Sequence, residues 1–381
     1  MKILLVSPWQ EGAAASGVVT ACSHLATGLG RHPDVAEVVV LSLSEERSSA
    51  TLDRGSWRVQ LIPRQRRLAL ATDGWPDYVR AARWVRRSGF APDVVHGQGV
   101  AGEGHVTVRL ARRLRVPSVV TVHGMIDKET TLYADATRAR LARSVMMRTL
   151  AAANGLVFVS PYRKEQLTVA RGQATSVIAN PIDDEVFALR NAGAGAAILY
   201  AGFVGPRKRL ADLVRALDVV RRRVPAAELR VAGPVTDADY GRQVQAEIDR
   251  LGLGDAVTFL GSLEADDLYA EYASAGVLAL PSQEENAPQV VAEALAAGLP
   301  VVASRVGGVP WMIDDGSTGA IVEPGDVETL AARIVELLVD PDRRAAVARA
   351  GRASAERYRP DRVADDTVRF YRSLAGGERR S

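Results

Sequence analysis

The sequence is poor in several features, and each scarcity excludes a class of protein. A single cysteine, Cys22, among 381 residues rules out an internal disulfide framework and a cysteine-based zinc cluster. No stretch approaches the roughly 20 apolar residues that a membrane-spanning helix needs. Aromatic residues make up only 5% of the chain and form no recognisable reading module, which argues against a nucleic-acid-binding protein. We therefore expect a globular protein of a reducing compartment, the cytoplasm.

Motifs for metals and dinucleotides are also missing. The five histidines show no HExxH spacing, and the glycine-bearing loop that ends near Gly17 is not a GxGxxG fingerprint. We therefore expect no metal and no nicotinamide cofactor.

Lysine is scarce as well, since the chain has 4 lysines and 44 arginines. Residues 1–190 contain 25 Lys and Arg against 17 Asp and Glu, whereas the rest of the chain is acidic. Arginines cluster at 64–67, 80–87, 109–115 and 138–148. Such clusters could steer an anionic acceptor, a nucleic acid or an acidic lipid surface at the inner face of the membrane. Solvated helix faces are the favoured interpretation, because the arginine bias extends over the whole chain.

What the chain does contain is an alternation of short apolar runs with helical stretches, which is typical of doubly wound parallel α/β sheets. A small-residue stretch at 191–196 predicts a linker between two such domains, at 1–190 and 196–359. The predicted strands of the first domain are 3–7, 38–43, 57–62, 93–96, 118–123 and 156–160. Those of the second are 198–202, 228–233, 257–260, 277–280, 301–304 and 320–322.

The most informative stretch is 281–300, where a loop bearing Glu285 follows a strand and leads into a helix. Pro288 suits the first turn of that helix and Gly298 suits its end. Free backbone N–H groups at such a helix start can hold an anion such as a phosphate. Glu293, eight positions after Glu285, lies in a mostly apolar helix. There a buried carboxylate needs hydrogen bonds, for example from ligand hydroxyls, although a solvent-facing glutamate is the simpler alternative.

The two acids are followed by Ala-Leu-Ala-Ala-Gly-Leu-Pro-Val-Val-Ala-Ser at 294–304 and by Gly-Gly-Val-Pro at 307–310. This pattern resembles the donor site of the retaining nucleotide-sugar glycosyltransferases of family 4. The resemblance implies a GT-B fold, in which two Rossmann-like domains face a central cleft. It further implies that Glu285 contacts the transferred sugar and Glu293 the ribose. The diphosphate would be received by the backbone of Asn286, Ala287, Pro288, Gln289 and Val290.

The same resemblance assigns roles elsewhere in the chain. Lys208 matches a diphosphate-binding lysine, whereas Phe203 stands where the family has an arginine, so Arg207 or Arg209 is expected to substitute. His123 matches the histidine that faces the donor sugar, and together with Glu285 and Lys208 it forms the expected catalytic set. The other expected contacts are a diphosphate-closing loop at Ser16 and Gly17, nucleobase contacts near Gly233 and Leu263, and acceptor-side or supporting roles for His96 and Arg138.

The resemblance also implies that the first domain binds the acceptor and is completed by a helix at 360–376. The predicted function is a retaining, metal-independent transfer of sugar from a nucleotide diphosphate sugar, most often a UDP-sugar, to a hydroxyl acceptor. That acceptor could be a glycan, a lipid-linked glycan or a secondary metabolite. A UDP-sugar 2-epimerase of the same fold and, in another class, a non-catalytic nucleotide-sugar-binding or nucleic-acid-binding protein stay open as alternatives.

Overall fold

The computed structural model describes residues 1–9, 16–44, 49–63, 75–124, 136–168, 170, 172–191 and 195–377. The chain divides into two compact units, one containing residues up to Pro181 and from Pro360 onward, the other containing Ile182–Arg359. This division precedes the expected boundary at 190, because the segment before it is already tied to the second unit. Arg352 Nη1 donates to the backbone oxygen of Leu189 at 2.9 Å. The side-chain amide of Asn191 likewise donates to the backbone oxygens of Tyr272 and Ala275 at 2.7 and 2.8 Å. Residues 192–194 of the expected linker lie outside the described residues.

The first unit is built on an eight-stranded sheet with the order β3-β4-β2-β1-β5-β6-β7-β8. Its strands are parallel except for β3, which pairs antiparallel with β4 at one edge. At the centre of the sheet, Ile3 is in register with Val38 on one side and Val94 on the other. The strands are β1 (Lys2–Val6), β2 (Glu37–Ser44), β3 (Ala50–Asp53), β4 (Arg58–Pro63), β5 (Val94–Gly97), β6 (Ser118–Val122), β7 (Gly155–Phe158) and β8 (Ala174–Val177).

Helices cover both faces of this sheet and bury its apolar side chains. They are α1 (Gly17–Arg31), α2 (Trp75–Ser88), α3 (Gly102–Leu114), α4 (Ala136–Ala152), α5 (Pro161–Gln166) and, from the far end of the chain, α14 (Pro360–Gly377). Helix α14 packs against α1, and its Val363, Val368 and Tyr371 enter the same core cluster as Ile3 and Leu25.

The second unit contains a six-stranded, fully parallel sheet with the order β11-β10-β9-β12-β13-β14. Its strands are β9 (Ala197–Ala201), β10 (Glu228–Ala232), β11 (Val257–Gly261), β12 (Val277–Leu280), β13 (Val301–Ser304) and β14 (Ala320–Val322). Its helices are α6 (Asp184–Ala188), α7 (Leu210–Arg221), α8 (Ala238–Leu251), α9 (Ala265–Ser274), α10 (Gln289–Ala297), α11 (Val309–Met312), α12 (Val327–Val339) and α13 (Pro341–Ala355).

Both sheets confirm the predicted doubly wound α/β class. Central strands such as β1, β9 and β12 are short apolar runs because helices cover them on both faces. The sequence analysis missed β3 and β8, which lie at the two edges of the first sheet. Within the part of the chain that the structure describes, no helix is both long and apolar enough to cross a membrane.

Candidate active site

Strands β9 and β12 are neighbours at the middle of the second sheet, and the strands that follow each of them are added in opposite directions. The sheet therefore has its switch point between β9 and β12. In doubly wound sheets, ligands bind beyond the carboxyl ends of the strands at such a switch point. The loops that follow these two strands are joined there, since Gln283 N–H donates to the backbone oxygen of Arg207 at 2.8 Å. These are two of the three loops in which the sequence analysis placed the diphosphate contacts.

Lys208 and Glu285 form an ion pair at this point. Lys208 Nζ lies 2.6 Å from Glu285 Oε1, and the side chains are only 10% and 9% exposed. Lys208 ends a short 3₁₀ turn, Pro206–Lys208, which aims its side chain across to the loop after β12. A buried lysine and a buried glutamate in contact fix each other's direction, because separating them would leave two desolvated charges. The pair therefore offers a positioned ammonium donor beside a positioned carboxylate acceptor.

The two arginines next to Lys208 differ in their surroundings. Arg209 adopts a left-handed conformation with φ +52°, and its Nε donates to Asp212 Oδ2 at 2.6 Å. Arg207 is exposed and makes no ion pair within the described part of the chain. Phe203 is 46% exposed, and Lys208 Nζ lies 5.6 Å from the centre of its ring. The geometry thus leaves Arg207 as the cation with freedom to meet an anion.

Helix α10 begins at the same place. Pro288 is its N-cap, one position earlier than the first helical residue, and the proline side chain makes no capping hydrogen bond. Gly298 ends the helix with φ +78°, as its predicted C-cap role requires. Gln289 and Val290 are partly exposed, whereas Val291–Ala297 is buried. A partly exposed helix start has a positive dipole end that suits an anion.

Glu293 lies inside the protein and not on a solvent-facing helix surface. The residue is 8% exposed, and Tyr272 OH donates to its Oε2 at 2.7 Å. Burial raises the pKa of Glu293 to about 7, against the opposing effect of the Tyr272 hydrogen bond, and Asp183 adds to the rise. The sequence analysis missed Tyr272, because an aromatic residue in α9 is indistinguishable from an ordinary core residue.

Gly233 and Leu263 follow the neighbouring strands β10 and β11. Gly233 has φ +138°, and a Cβ at this position would lie 2.1 Å from the backbone oxygen of Gly202. Only glycine therefore lets the ends of β9 and β10 approach so closely. Leu263 is half-buried in the loop after β11.

In the first unit, His123 belongs to a hydrogen-bonded chain of side chains. His123 Nε2 lies 2.9 Å from Gln98 Oε1, and Gln98 Nε2 lies 3.3 Å from His96 Nε2. His96 Nε2 also lies 2.6 Å from Thr121 Oγ1, and its Nδ1 lies 2.6 Å from Tyr371 OH. His96 is therefore fully engaged behind His123, as a supporting residue would be, and does not present a free ring nitrogen to a ligand.

Both imidazoles are neutral at pH 7. Burial lowers the pKa of His96 to about 3, with a smaller contribution from His123. Burial also lowers the pKa of His123 to about 4. With its amide oxygen toward His123, Gln98 accepts from Nε2–H and fixes that tautomer. Gln98 and Tyr371 were missed by the sequence analysis, although the position of Gln98 directly after β5 was a signal that could have been used.

A cavity of about 410 Å³ lies at the carboxyl edge of the first sheet, again beside the switch point, between β1 and β5. Ser16, Gln98, Glu103 and His123 contribute polar groups to its wall, and Val100 and Met146 contribute apolar ones. Ser16 is the N-cap of α1, and Gly17 is the first residue of that helix. Residues 10–15, which complete the expected diphosphate-closing loop, lie outside the described residues.

Other predicted features are only partly described. The basic cluster at 64–67 lies outside the described residues, and Arg138 lies in α4 with a side chain that is not described. In the ranges given above, no group of three or more His, Cys, Asp or Glu lies together as metal ligands would.

A doubly wound sheet with a lysine, a helix start and buried acids at its switch point is an arrangement that suits a phosphorylated ligand. Comparison with known proteins makes this specific. A family model described as Glycosyl transferases group 1 matches residues 182–354, and one described as Glycosyltransferase Family 4 matches residues 15–186. The chain belongs to this glycosyltransferase family.

Individual relatives agree with this assignment. The chain is 31% identical over 315 residues to a glycogen synthase of Mycobacterium tuberculosis, covering 79% of this chain and 74% of that protein. It is 33% identical over 232 residues to a GDP-mannose-dependent alpha-(1-6)-phosphatidylinositol monomannoside mannosyltransferase of the same species, covering 56% and 60%.

Solved structures show the same GT-B fold. Sucrose-phosphate synthase of Thermosynechococcus elongatus superposes with a TM-score of 0.81 at 22% identity, covering 99% of both chains. HepE of Anabaena, crystallised with UDP and glucose, superposes with a TM-score of 0.75 at 20% identity, covering 98% of this chain and 100% of that one. The protein is therefore a GT-B glycosyltransferase.

Proposed function

We propose that this glycosyltransferase is metal-independent and retaining, and that it transfers a sugar from a nucleotide diphosphate sugar, with a UDP-sugar favoured, to a hydroxyl acceptor. The observation that carries the proposal is the Lys208–Glu285 pair beside the start of α10. A cation, a helix dipole and a sugar-binding carboxylate are the groups that a leaving diphosphate and its sugar need.

In this proposal the departing diphosphate is stabilised by charge. Lys208 is held in place by Glu285. The family has an arginine at the position of Phe203, and here Arg207 supplies that second cation. Helix α10 directs its first N–H groups toward the phosphate oxygens. Preorganised donors of this kind stabilise charge that develops in the transition state without having to reorganise. They also account for neutralisation of the diphosphate without a divalent ion.

The retaining outcome is proposed from the resemblance to family 4, and the way in which the carboxylates are held bears on its mechanism. Glu285 is paired with Lys208, and Glu293 is paired with Tyr272. Neither pair resembles the nucleophile and acid of a double-displacement glycosidase site. We therefore favour attack by the acceptor on the same face that the diphosphate leaves. NMR of the product formed from an α-linked donor should show an α-linkage, and a β-linked product would refute this part of the proposal.

Acceptor binding is proposed for the first unit, in the cavity beside His123. The neutral His123 and Gln98 can hydrogen-bond hydroxyls without carrying charge, and Glu103 adds an acceptor of hydrogen bonds in the same wall. Side chains that accept hydrogen bonds, whether neutral or anionic, suit a substrate with several hydroxyl groups.

Donor binding provides the main test. Thermal unfolding is followed with UDP-, GDP- and ADP-sugars in the presence of EDTA, for the wild type, Glu293→Gln and the exposed control Glu328→Gln. We expect one donor class to stabilise the wild type and the control but not Glu293→Gln. GDP-sugars belong in the panel because a relative is named for GDP-mannose and structural neighbours contain UDP. Stabilisation that requires added Mg²⁺, or that Glu293→Gln leaves intact, would contradict the proposal.

Incubation of the preferred donor alone distinguishes transfer from epimerisation. A glycosyltransferase should leave the donor sugar unchanged or hydrolyse it slowly, whereas a 2-epimerase would convert it to its C2 epimer. An epimerised product detected by NMR would replace the proposed function with that alternative.

A further inference from the structure

A second large cavity, of about 550 Å³, lies in the first unit between helices α2, α3 and α4. The cavity shares no lining residue with the one beside His123. Glu103 of the His123 cavity is in the first turn of α3, whereas Arg109, Arg112 and Arg113 of this groove are in its second half. At 1.5 Å per residue, Glu103 and Arg112 are separated by roughly 13 Å along the helix. We call this cavity the helical groove.

Four arginines line the helical groove: Arg109, Arg112 and Arg113 from α3 and Arg148 from α4. No aspartate or glutamate lines it, and none of the four guanidinium groups makes an ion pair within the ranges that the structure describes. Sequence analysis favoured solvated helix faces for these residues, but the structure brings arginines from two separate clusters around one cavity. Like charges gathered at one site repel each other unless an anion lies among them.

An aromatic wall stands beside these charges. Trp75 is 51% exposed, its ring lies 5.3 Å from that of Tyr78, and the Arg109 guanidinium lies 5.1 Å from it. Trp75 thus presents an exposed aromatic face beside the partly buried ring of Tyr78. The contact with Trp75 also orients Arg109, because a guanidinium stacks on an aromatic face. The helical groove therefore combines a cluster of cations with a flat apolar surface.

We propose that the helical groove is a binding site for a phosphate-bearing ligand, with the phosphate among the arginines and an apolar ring or chain against Trp75. Guanidinium groups bind phosphate oxygens through two parallel N–H donors, so several arginines around one cavity favour phosphate over a single carboxylate. The volume of the cavity lies within the range of small-molecule sites. The proposal does not depend on the identity of the nucleotide-sugar donor.

Phenyl phosphate is a suitable probe, because it joins a phosphate to one aromatic ring. Binding is measured by tryptophan fluorescence and calorimetry for the wild type, for Arg109→Gln/Arg112→Gln and for the control Arg86→Gln/Arg87→Gln. The control removes two exposed arginines from α2 that do not line the groove. We expect binding to weaken about tenfold or more in the groove variant and to stay unchanged in the control.

Phosphate binding at the donor site would contribute equally to all three proteins, so the difference between the two variants reports the groove alone. Trp75→Leu should remove the advantage of phenyl phosphate over inorganic phosphate while leaving inorganic phosphate binding in place. Equal affinities in both double variants, or no phenyl phosphate binding to the wild type, would overturn the proposal.

The source of the phosphate is settled by vesicles of phosphatidylcholine with and without phosphatidylglycerol. Co-sedimentation that needs phosphatidylglycerol, is lost in Arg109→Gln/Arg112→Gln and is displaced by phenyl phosphate would support a lipid headgroup. Phenyl phosphate binding without co-sedimentation would support a soluble phosphate ester. The site would be refuted if Arg109→Gln/Arg112→Gln still co-sedimented with the vesicles and also bound phenyl phosphate with the wild-type affinity.

Discussion

Glu285 and Glu293 lie eight positions apart and are held in chemically different ways. Glu285 faces a cation, Lys208, whereas Glu293 faces a neutral phenol, Tyr272. Burial raises the pKa of Glu293 to about 7, so its charged and neutral forms are closely balanced near neutral pH. The ionisation of Glu293 therefore changes across the neutral pH range.

Donor affinity should follow the ionisation of Glu293. A charged carboxylate can accept from two ribose hydroxyls, whereas a protonated one has lost an acceptor. We expect donor affinity to rise as the pH rises through about 7, the pKa of the buried group, and to lose this dependence in Glu293→Gln. Tyr272→Phe removes a hydrogen bond that lowers this pKa, so the midpoint should move to higher pH. Calorimetric titrations across the range measure both effects.

The contribution of Glu293 to the free energy of unfolding should change in the opposite direction and fall as the pH rises. Because folding raises the pKa of Glu293 above its unfolded value of 4.5, this contribution is fully present below pH 4.5 and is lost as the pH rises through about 7. A wild-type donor affinity that is constant across neutral pH, or a midpoint that Tyr272→Phe leaves in place, would contradict the ribose role.

Among the elements, α14 links the last part of the described chain to the core of the first unit. It packs against α1 and contributes Tyr371, which contacts His96 275 positions earlier in the chain. The close approach depends on Gly28 of α1, where a Cβ would lie 2.1 Å from the backbone oxygen of Pro360. A helical glycine in such a position serves packing and not backbone freedom.

Gly28→Ala should therefore destabilise the protein. The added methyl would push α14 away from α1, and overpacking of this kind costs about 1–3 kcal/mol of unfolding free energy. Gly254→Ala is the matched control, because nothing lies within 4 Å of its Cβ position. Urea denaturation followed by circular dichroism compares the two variants. Equal stability of both would show that α1 and α14 can adjust at no cost.

Element types were predictable from the sequence, because the strands that are covered on both faces are apolar runs bounded by turn residues. The edge strands β3 and β8 were not, since Ala50–Asp53 and Ala174–Val177 lack such runs. The acids, the lysine and His123 could be found from local patterns. Their partners Tyr272, Gln98 and Tyr371 could not, because each is defined by contacts with residues from other elements.

At the scale of the whole molecule, the described residues of the second unit come from one segment of the sequence, between the two segments that form the first unit. The chain enters it at Ile182 and leaves it next to Tyr358, and Ile182 N–H donates to the Tyr358 backbone oxygen at 3.0 Å. Both side chains are buried, so the two ends of the unit are fixed together by packing as well as by this bond. The unit also has its own hydrophobic core.

The fragment 182–359 should consequently fold alone and bind the donor nucleotide. It contains Lys208, Glu285, Glu293 and Tyr272, together with all six strands of its sheet. We expect cooperative thermal unfolding and stabilisation by the nucleotide that stabilises the full chain, with loss of that stabilisation in the Glu293→Gln fragment. A fragment that unfolds without cooperativity would mean that the second unit depends on contacts outside it.

Helix α14 follows the second unit in the sequence, so it is synthesised after that unit. A ribosome delivers the whole of Ile182–Arg359 before it delivers the residues that complete the first core, among them Val363, Val368 and Tyr371. The second unit is therefore fully synthesised while the first still lacks a helix. His96 gains its tyrosine partner only once α14 has been added, so the histidine network is among the last parts of the enzyme to be completed.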